Sequence, residues 1–422
     1  MSEPNLWRAT SRERVSAPPF TQTTTVDLAV IGGGFTGCSA ALEAARRGAS
    51  VCLVEAQTVG HGGSGRNVGL VNAGLWLPPD TVVAKMGEEA GHRLITALAE
   101  APSRVFALIE RERIDCEAVR HGTLHLAHSA SGLADLAERF RQGNRFGAPL
   151  QLLDAAETNR RTGTSQYHGA LFDPRAGTIQ PLSYVRGLAR AAIAAGARLH
   201  EGSTVSRIAR QGDLWVVTVN GVELRAKALL VATNAYHLGI RGPANPQFVA
   251  VSYCQYATDP LPEALRAAIL AGGEGCWDTA LVMSSFRLDQ AGRMIVGGIG
   301  NAEGPGGAVH AAWAARKMAE LFPALAGQPF RHGWRGRIAM TGDHIPKILA
   351  FGPSAFACFG YSGRGIGPGT VFGTQSAIAL LEGRPEALPV APVESHGEAF
   401  RGLREAWYET GAVLTHAIGA RA

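Results

Sequence analysis

Five glycines, an acid, a histidine and an arginine crowd into "EAQTVGHGGSGRNVG", residues 55–69. Glycine is costly to order, so such crowding marks a backbone that must come close to something. A second set lies just upstream. Gly32, Gly34 and Gly37 fit G-x-G-x-x-G, and Glu55 follows about 20 residues on. In that pattern the first glycine makes a tight turn, the second lets a pyrophosphate touch the backbone, and the third lets helix and strand pack closely. The acid accepts hydrogen bonds from an adenosine ribose, and the helix N-terminus stabilises phosphate charge. These residue types at this spacing predict a dinucleotide site.

The elements that must position these residues are legible around them. "VDLAVI" is apolar and β-branched, as suits a strand buried on both faces. "CSAALEAARRGAS" is rich in helix formers, and "VCLVE" is a second strand ending at Glu55. The glycine-rich segment then lies at the carboxyl end of that strand, along the path of a bound dinucleotide. There Gly60, Gly62, Gly63 and Gly65 let the backbone run against the cofactor, while Ser64, Arg66 and Asn67 offer donors to phosphate or ring oxygens. A simple NAD dehydrogenase has no need of this second clamp, so it points to FAD. "KALLVATNA" reads as a late strand of the nucleotide unit with Thr233 and Asn234 at its tip. "AFACFGYSGRGIGPGTVFGTQSAIALLEGR" reads as strand, glycine loop and helix. Backbone N–H groups from Gly363 to Gly369, aimed by that helix, would stabilise negative charge on a reduced flavin, with Arg364 assisting.

The totals bound what surrounds these motifs. A chain of 422 residues suffices for two domains, and 46% hydrophobic with 18% charged residues fits a soluble globular protein. No apolar run approaches the ~20 residues of a membrane span. "MSEPNLWRATSRERVSAPPF" lacks the apolar stretch of a secretory signal and reads as an extended arm, so the expected location is the cytoplasm. Six scattered cysteines without a C-x-x-C pair suggest buried free thiols rather than zinc ligands or disulfides. The net charge is +5, but the basic residues are interleaved with acids, as in "LIERERIDCEAVR". Without a basic run or stripe, no nucleic-acid partner is expected.

Further along, "RLITALAEAPSRVFALIERERI" is a helical pattern interrupted at Pro102. "RGLARAAIAAGARL" is another helix, feeding strands at "STVSRIA" and "WVVTVNG". "FVAVSYCQYATDPL", "ALVMSSFRLD" and "RMIVGGIG" alternate in strand fashion. On the first of these Tyr253 and Gln255 share a face, away from Tyr256, and would give a pocket an aromatic wall and a hydrogen-bond partner. The C-terminal "FRGLREAWYETGAVLTHAIG" suits either a docked helix or one touching a membrane surface.

Over nearly its full length the chain resembles FAD-dependent enzymes of the D-amino-acid oxidase, glycine oxidase and sarcosine oxidase superfamily. "LWRAT", "GHGGSGRNVGLVNAG", "RAGTIQPLSY", "WDT" and "GYSGRG" are most similar to the bacterial L-pipecolate oxidase group, with γ-glutamylputrescine oxidases more distant. The resemblance implies an α/β fold: a Rossmann-like FAD-binding domain interleaved with an α+β substrate domain carrying a largely antiparallel sheet. The FAD domain would gather residues 20–88, 166–240 and 334–422, the substrate domain 89–165 and 241–333, with 1–19 as the arm. It extends the cofactor contacts to Phe35 and Thr36, to Ala56 and Val68 flanking the second clamp, and to Val205, Gly365 and Ile366.

The same resemblance implies oxidation of an amine C–N bond to an imine, with L-pipecolate the specific expectation and O2 or a quinone accepting the electrons. γ-Glutamylputrescine oxidation and a non-catalytic flavin-binding protein are the alternatives. Peripheral contact with the inner membrane is a further expectation. Arg337 in "WRGRIAMTGDHIP" resembles the arginine that anchors substrate carboxylate in a Gly-Leu-Arg-Pro segment, although Ile338 replaces the proline. A surface arginine on a strand end is the alternative. Arg287 is a weaker candidate, read as a solvated strand residue; Trp277 reads as core and His344 as a surface histidine. Sarcosine oxidases carry a flavin-linking cysteine just before the segment matching "MTGD", where this chain has Gly336–Arg337. Non-covalent FAD is therefore expected, with His61 a minor candidate for linkage.

Overall fold

The apolar run near the N-terminus forms the strand Thr24–Ile31, whose last four residues are fully buried. Its side chains alternate between two apolar clusters. Leu28 and Val30 join one, while Val26, Ala29 and Ile31 join the other. A strand buried on both faces sits inside a sheet, and this one does. The computed structural model, which describes residues 5–237 and 239–418, places it between Val222–Val231 and Val51–Val54, parallel to both. The sheet continues to Arg198–His200 on one side and to Ala355–Phe359 and Lys347–Gly352 on the other. A hairpin of Val205–Gln211 and Leu214–Val219 completes the eight strands. Helices Phe35–Arg46, Pro181–Ala194 and Ile366–Glu382 supply their apolar faces to the first cluster.

The second sheet also has eight strands, in the order Phe330–Met340, Val249–Pro260, Arg293–Ile299, Ser284–Leu288, Gly275–Asp278, Thr123–Leu126, Ala170–Asp173 and Gln151–Leu153. Every neighbouring pair is antiparallel except Gly275–Asp278 with Thr123–Leu126. The expected largely antiparallel sheet is therefore present. Two of its strands cross the boundaries drawn from sequence. Ala170–Asp173 lies within a stretch assigned to the nucleotide unit, and Phe330–Met340 runs past residue 334. The physical reason is pairing: Phe330–Met340 bonds along nearly the whole of Val249–Pro260, from Val249↔Met340 to Thr258↔Phe330.

The N-terminal arm is more than an extended lead-in. Leu6–Thr10 forms a short helix with Leu6 and Trp7 wholly buried. The long helical pattern divides into Glu88–Ala99 and Ala101–Arg111, with Pro102 in the first turn of the second helix, where its missing N–H costs nothing. All six cysteines are buried and unpaired.

The C-terminal helix Arg401–Ile418 docks through Ala412 and His416. The His416 ring stacks on Trp313 at 3.8 Å, and its Nδ1 lies 2.8 Å from that of His310. Phe400, Leu403, Trp407, Leu414 and Ile418 remain exposed, Trp407 by 77%. At 100° per residue the four within the helix, Leu403, Trp407, Leu414 and Ile418, fall on one stripe. Among the described residues no helix is long and apolar enough to cross a membrane.

Candidate active site

The carboxyl ends of the central strands of the first sheet open into a cavity of ≈720 Å³, roofed by the second sheet. Gly32 turns out of its strand with φ +108, and a Cβ there would lie 2.9 Å from the Ala232 carbonyl oxygen. A Cβ on Gly37 would come within 1.9 Å of the Gly32 carbonyl oxygen, so the helix starts where only glycine fits. Gly37 thus stands behind the turn, while Gly32, Gly34, Phe35 and Thr36 line the cavity. The Glu55 carboxylate accepts from the backbone N–H of Gly33 at 2.7 Å and of Gln57 at 2.9 Å. Burial pushes its pKa up, against the two N–H groups that favour the anion.

The second clamp lies across the mouth of this turn. Ala56, Gly63, Ser64, Asn67 and Val68 line the cavity. Ser64 Oγ accepts from Phe35 N–H at 3.0 Å, tying the two glycine segments together. Asn67 spends its side chain on the loop itself, donating to Gly63 O at 2.9 Å and accepting from Gly69 N–H at 2.9 Å. Arg66 corrects the sequence reading. Its side chain turns away from the cavity and donates to the carbonyls of His61 (2.8 Å) and Arg335 (3.0 Å), so it braces the loop instead of offering itself to phosphate. The arm closes over the back, with Trp7 Nε1 donating to Asn67 O at 2.8 Å and Asn5 Nδ2 to Gly65 O at 2.7 Å.

Val205 and Thr233 line the same cavity, as do Gly363, Arg364, Gly365 and Ile366. The N-termini of helices Phe35–Arg46 and Ile366–Glu382 therefore both face it, bringing unsatisfied N–H groups and positive dipole ends to one space. That concentration suits an anionic dinucleotide and a reducible ring.

The opposite wall is made of side chains. Tyr253 and Gln255 line the cavity from one face of their strand, whereas Tyr256 packs on Phe330 at 5.5 Å. Tyr253 OH, Gln255 Oε1 and Trp277 Nε1 are buried and have no hydrogen-bond partner among the described residues. Such atoms are costly to leave unpaired, about 1–3 kcal/mol each, which marks them as waiting for a ligand. Burial raises the Tyr253 pKa well above its usual value, so the phenol stays a neutral donor. Arg337 also lines the cavity; its backbone N–H donates to Tyr236 OH at 3.1 Å, and its guanidinium has no ion-pair partner among the described residues.

Three further candidates are placed differently from the sequence reading. Arg287 is fully buried, not solvated, and lies outside the cavity; Nη1 donates to the carbonyls of Ile179 (2.8 Å) and Gly69 (3.2 Å), stapling the clamp segment to the second sheet. Trp277 is buried, yet on the cavity wall. His344 is partly buried on that wall, with a pKa lowered chiefly by burial. His61 lines the cavity too, its Nδ1 2.9 Å from Arg8 Nη2, and burial with Arg66 and Arg8 nearby lowers its pKa. Sequence reading missed Asn72, Trp76, Tyr361 and Tyr408, which reach the cavity from three separate segments. Of these Tyr361, inside "GYSGRG", and Asn72, inside "GHGGSGRNVGLVNAG", carried a local signal.

A glycine turn, an acid at the end of the second strand, a second clamp and two converging helix ends under an antiparallel roof define a two-sheet flavoenzyme of the dinucleotide-binding class. The chain belongs to the DAO family of FAD dependent oxidoreductases, whose pattern matches residues 27–377. It is 31% identical over 398 residues to a probable oxidoreductase OrdL of Haemophilus influenzae, covering 92% of this chain and 88% of the relative. It is 29% identical over 369 residues to the gamma-glutamylputrescine oxidoreductase of Escherichia coli, covering 86% and 85%. In fold it is similar to glycine oxidase from Geobacillus kaustophilus, with a TM-score of 0.71 over 85% of this chain and 95% of that one, at 21% identity. The protein is an FAD-dependent amine or amino-acid oxidoreductase.

Proposed function

We propose that this protein oxidises the C–N bond of a cyclic or secondary amino acid to the imine, with L-pipecolate as substrate. The observation that carries this reading is Arg337, a guanidinium without a carboxylate partner among the described residues, on the same wall as Tyr253 and Gln255. When bound, FAD supplies the two-electron acceptor. Arg337 grips the substrate carboxylate through paired N–H donors, and Tyr253 OH adds a third. Gln255 Oε1 accepts from the amine and fixes its lone pair. Trp277 and Tyr361 exclude water from the reacting carbon. The ammonium proton of the substrate would leave to solvent before oxidation, and the product would depart as the protonated imine, so no side chain is assigned a proton.

The residues around the turn, the clamp and the loop at Gly363–Ile366 hold FAD without a covalent bond. The nucleotide domain centres on the first sheet and the substrate domain on the second. Electrons leave to O2 or a quinone. The exposed apolar stripe of the C-terminal helix is the surface by which a membrane quinone would be approached. A second reading, oxidation of γ-glutamylputrescine, is favoured by the likeness to the E. coli enzyme across most of both chains.

Anaerobic titration of the purified holoprotein with L-pipecolate tests the proposal. Bleaching of the oxidised flavin band at stoichiometric enzyme supports it. A band that stays intact with L-pipecolate but bleaches with γ-glutamylputrescine replaces it with the second reading.

A further inference from the structure

A second, smaller cavity of ≈130 Å³ adjoins the main one, and the two share Asn72, Trp277 and Arg364 as lining. A single water needs about 10–15 Å³ of such space, so this annexe holds a good deal more. Its polar lining is cationic. Arg139, Arg175 and Arg364 face it together with His125, and Asp173 is its one acid.

The charges do not balance within it. Arg175 is paired bidentately with Asp173, Nη2 to Oδ2 at 2.7 Å and Nε to Oδ1 at 2.9 Å. Arg139 reaches Asp135 at 2.7 Å and the Trp76 carbonyl at 2.9 Å. Arg364 has no acid partner among the described residues: it donates to the Ala73 carbonyl and lies 5.3 Å from the Trp277 ring. Its pKa is lowered to about 10, first by burial and then by Arg139 nearby. His125 is buried and stacked on Trp277 at 4.9 Å, with Nε2 unpartnered among the described residues. Burial, with Arg139 and Arg364 beside it, keeps that ring neutral. A guanidinium out of water without a counter-ion is expensive, and an anion is what would relieve it.

We infer that the annexe binds a carboxylate on the far end of the substrate, several bonds from the C–N bond that is oxidised. Arg364 stands at the junction of the two cavities, and Arg139 extends the donor set inward. Besides L-pipecolate held at Arg337, the protein would therefore also take longer secondary amines that carry a remote carboxylate. The site depends on the main cavity oxidising an amine, and its test separates the two.

The test is anaerobic flavin bleaching of the holoprotein by 6-(methylamino)hexanoate and by the isosteric 6-(methylamino)hexanamide. The acid is expected to show an apparent Kd roughly 10–100-fold below that of the amide. Arg139→Gln is expected to collapse this ratio towards one, Arg139→Lys to retain part of it, and Arg337→Ala to leave it standing. Because the ratio is taken within one variant, general damage to folding cancels. A ratio near one in the unaltered protein, or one untouched by Arg139→Gln, overturns the inference. Should neither probe bleach the flavin, the oxidative reading fails for these amines, and calorimetry with glutarate decides the annexe. Glutarate binding weakened about tenfold by Arg139→Gln supports it; absence of binding overturns it.

Discussion

The floor and the roof of the main cavity are built on different principles. The floor is backbone. Gly32, Gly34, the Gly33–Glu55 bond and the two helix ends present N–H groups whose positions are fixed by the chain's own path. The roof is side chain: Tyr253, Gln255 and Trp277 project from interior strands whose backbone groups are spent on the ladder, and Arg337 from the edge strand, where its N–H is taken by Tyr236 OH. A backbone surface can be altered only by moving the chain, so it is intolerant and general. A side-chain surface changes one residue at a time while the ladder stays put. The floor can thus stay in place while the roof is altered residue by residue.

The contrast can be broken most severely at the floor. Gly37→Ala places a methyl where 1.9 Å is available, and the helix must shift off the strand. Purified protein is expected to be colourless and not restored by added FAD; a yellow variant with full flavin content would show that this close approach is dispensable. At the roof, Arg337→Ala is expected to keep full flavin content yet raise the apparent Kd for L-pipecolate about 100-fold, the scale of a lost charged hydrogen-bond pair. Equal loss of flavin would erase the distinction between the two surfaces.

Acid offers a milder cut. The His416 pKa falls from its usual 6.5 to about 3, by burial first and then by His310 and Arg316, with Glu409 also beside the pair. The folded chain therefore resists protonation that the unfolded chain accepts. Its contribution is complete above pH 6.5 and is lost as pH falls towards 3, by roughly 1.4 kcal/mol per unit. The C-terminal helix brings Tyr408 to the cavity, so acidification is expected to loosen the roof before the floor. Intrinsic tryptophan fluorescence should shift below pH 6 while the flavin spectrum holds, and His416→Phe should flatten that shift. The smallest change, Tyr253→Phe, removes one donor and is expected to weaken L-pipecolate binding about fivefold to tenfold, read by the same titration.

The floor was also the more legible half. Gly32, Gly34 and Gly37 lie within one short stretch, and the close backbone approaches at Gly32 and Gly37 are what their spacing implied. The alternation of Tyr253 and Gln255 against Tyr256 followed from the period of a strand. What escaped was long-range. Arg66 carries the right chemistry for phosphate, but only the fold reveals that the Arg335 carbonyl claims it. Arg287 reads as solvated because strand arginines usually are, and three of its four carbonyl partners sit more than a hundred residues away. Tyr408 and Trp76 reach the wall from segments with no motif. The strand Phe330–Met340 joined the other sheet because its pairing partner lies some eighty residues upstream.

The six enclosed cysteines have a practical consequence. Burial pushes the thiols of Cys52, Cys254 and Cys358 up to about 12, so almost none is thiolate at neutral pH. Only the thiolate reacts with alkylating reagents. The folded chain should thus be silent towards maleimides, and each labelled cysteine records an opening of the segment that holds it. Cys52 and Cys358 report on the first sheet and Cys254 and Cys276 on the second. Mass-resolved labelling turns the protein into its own stopwatch, timing which half comes apart first.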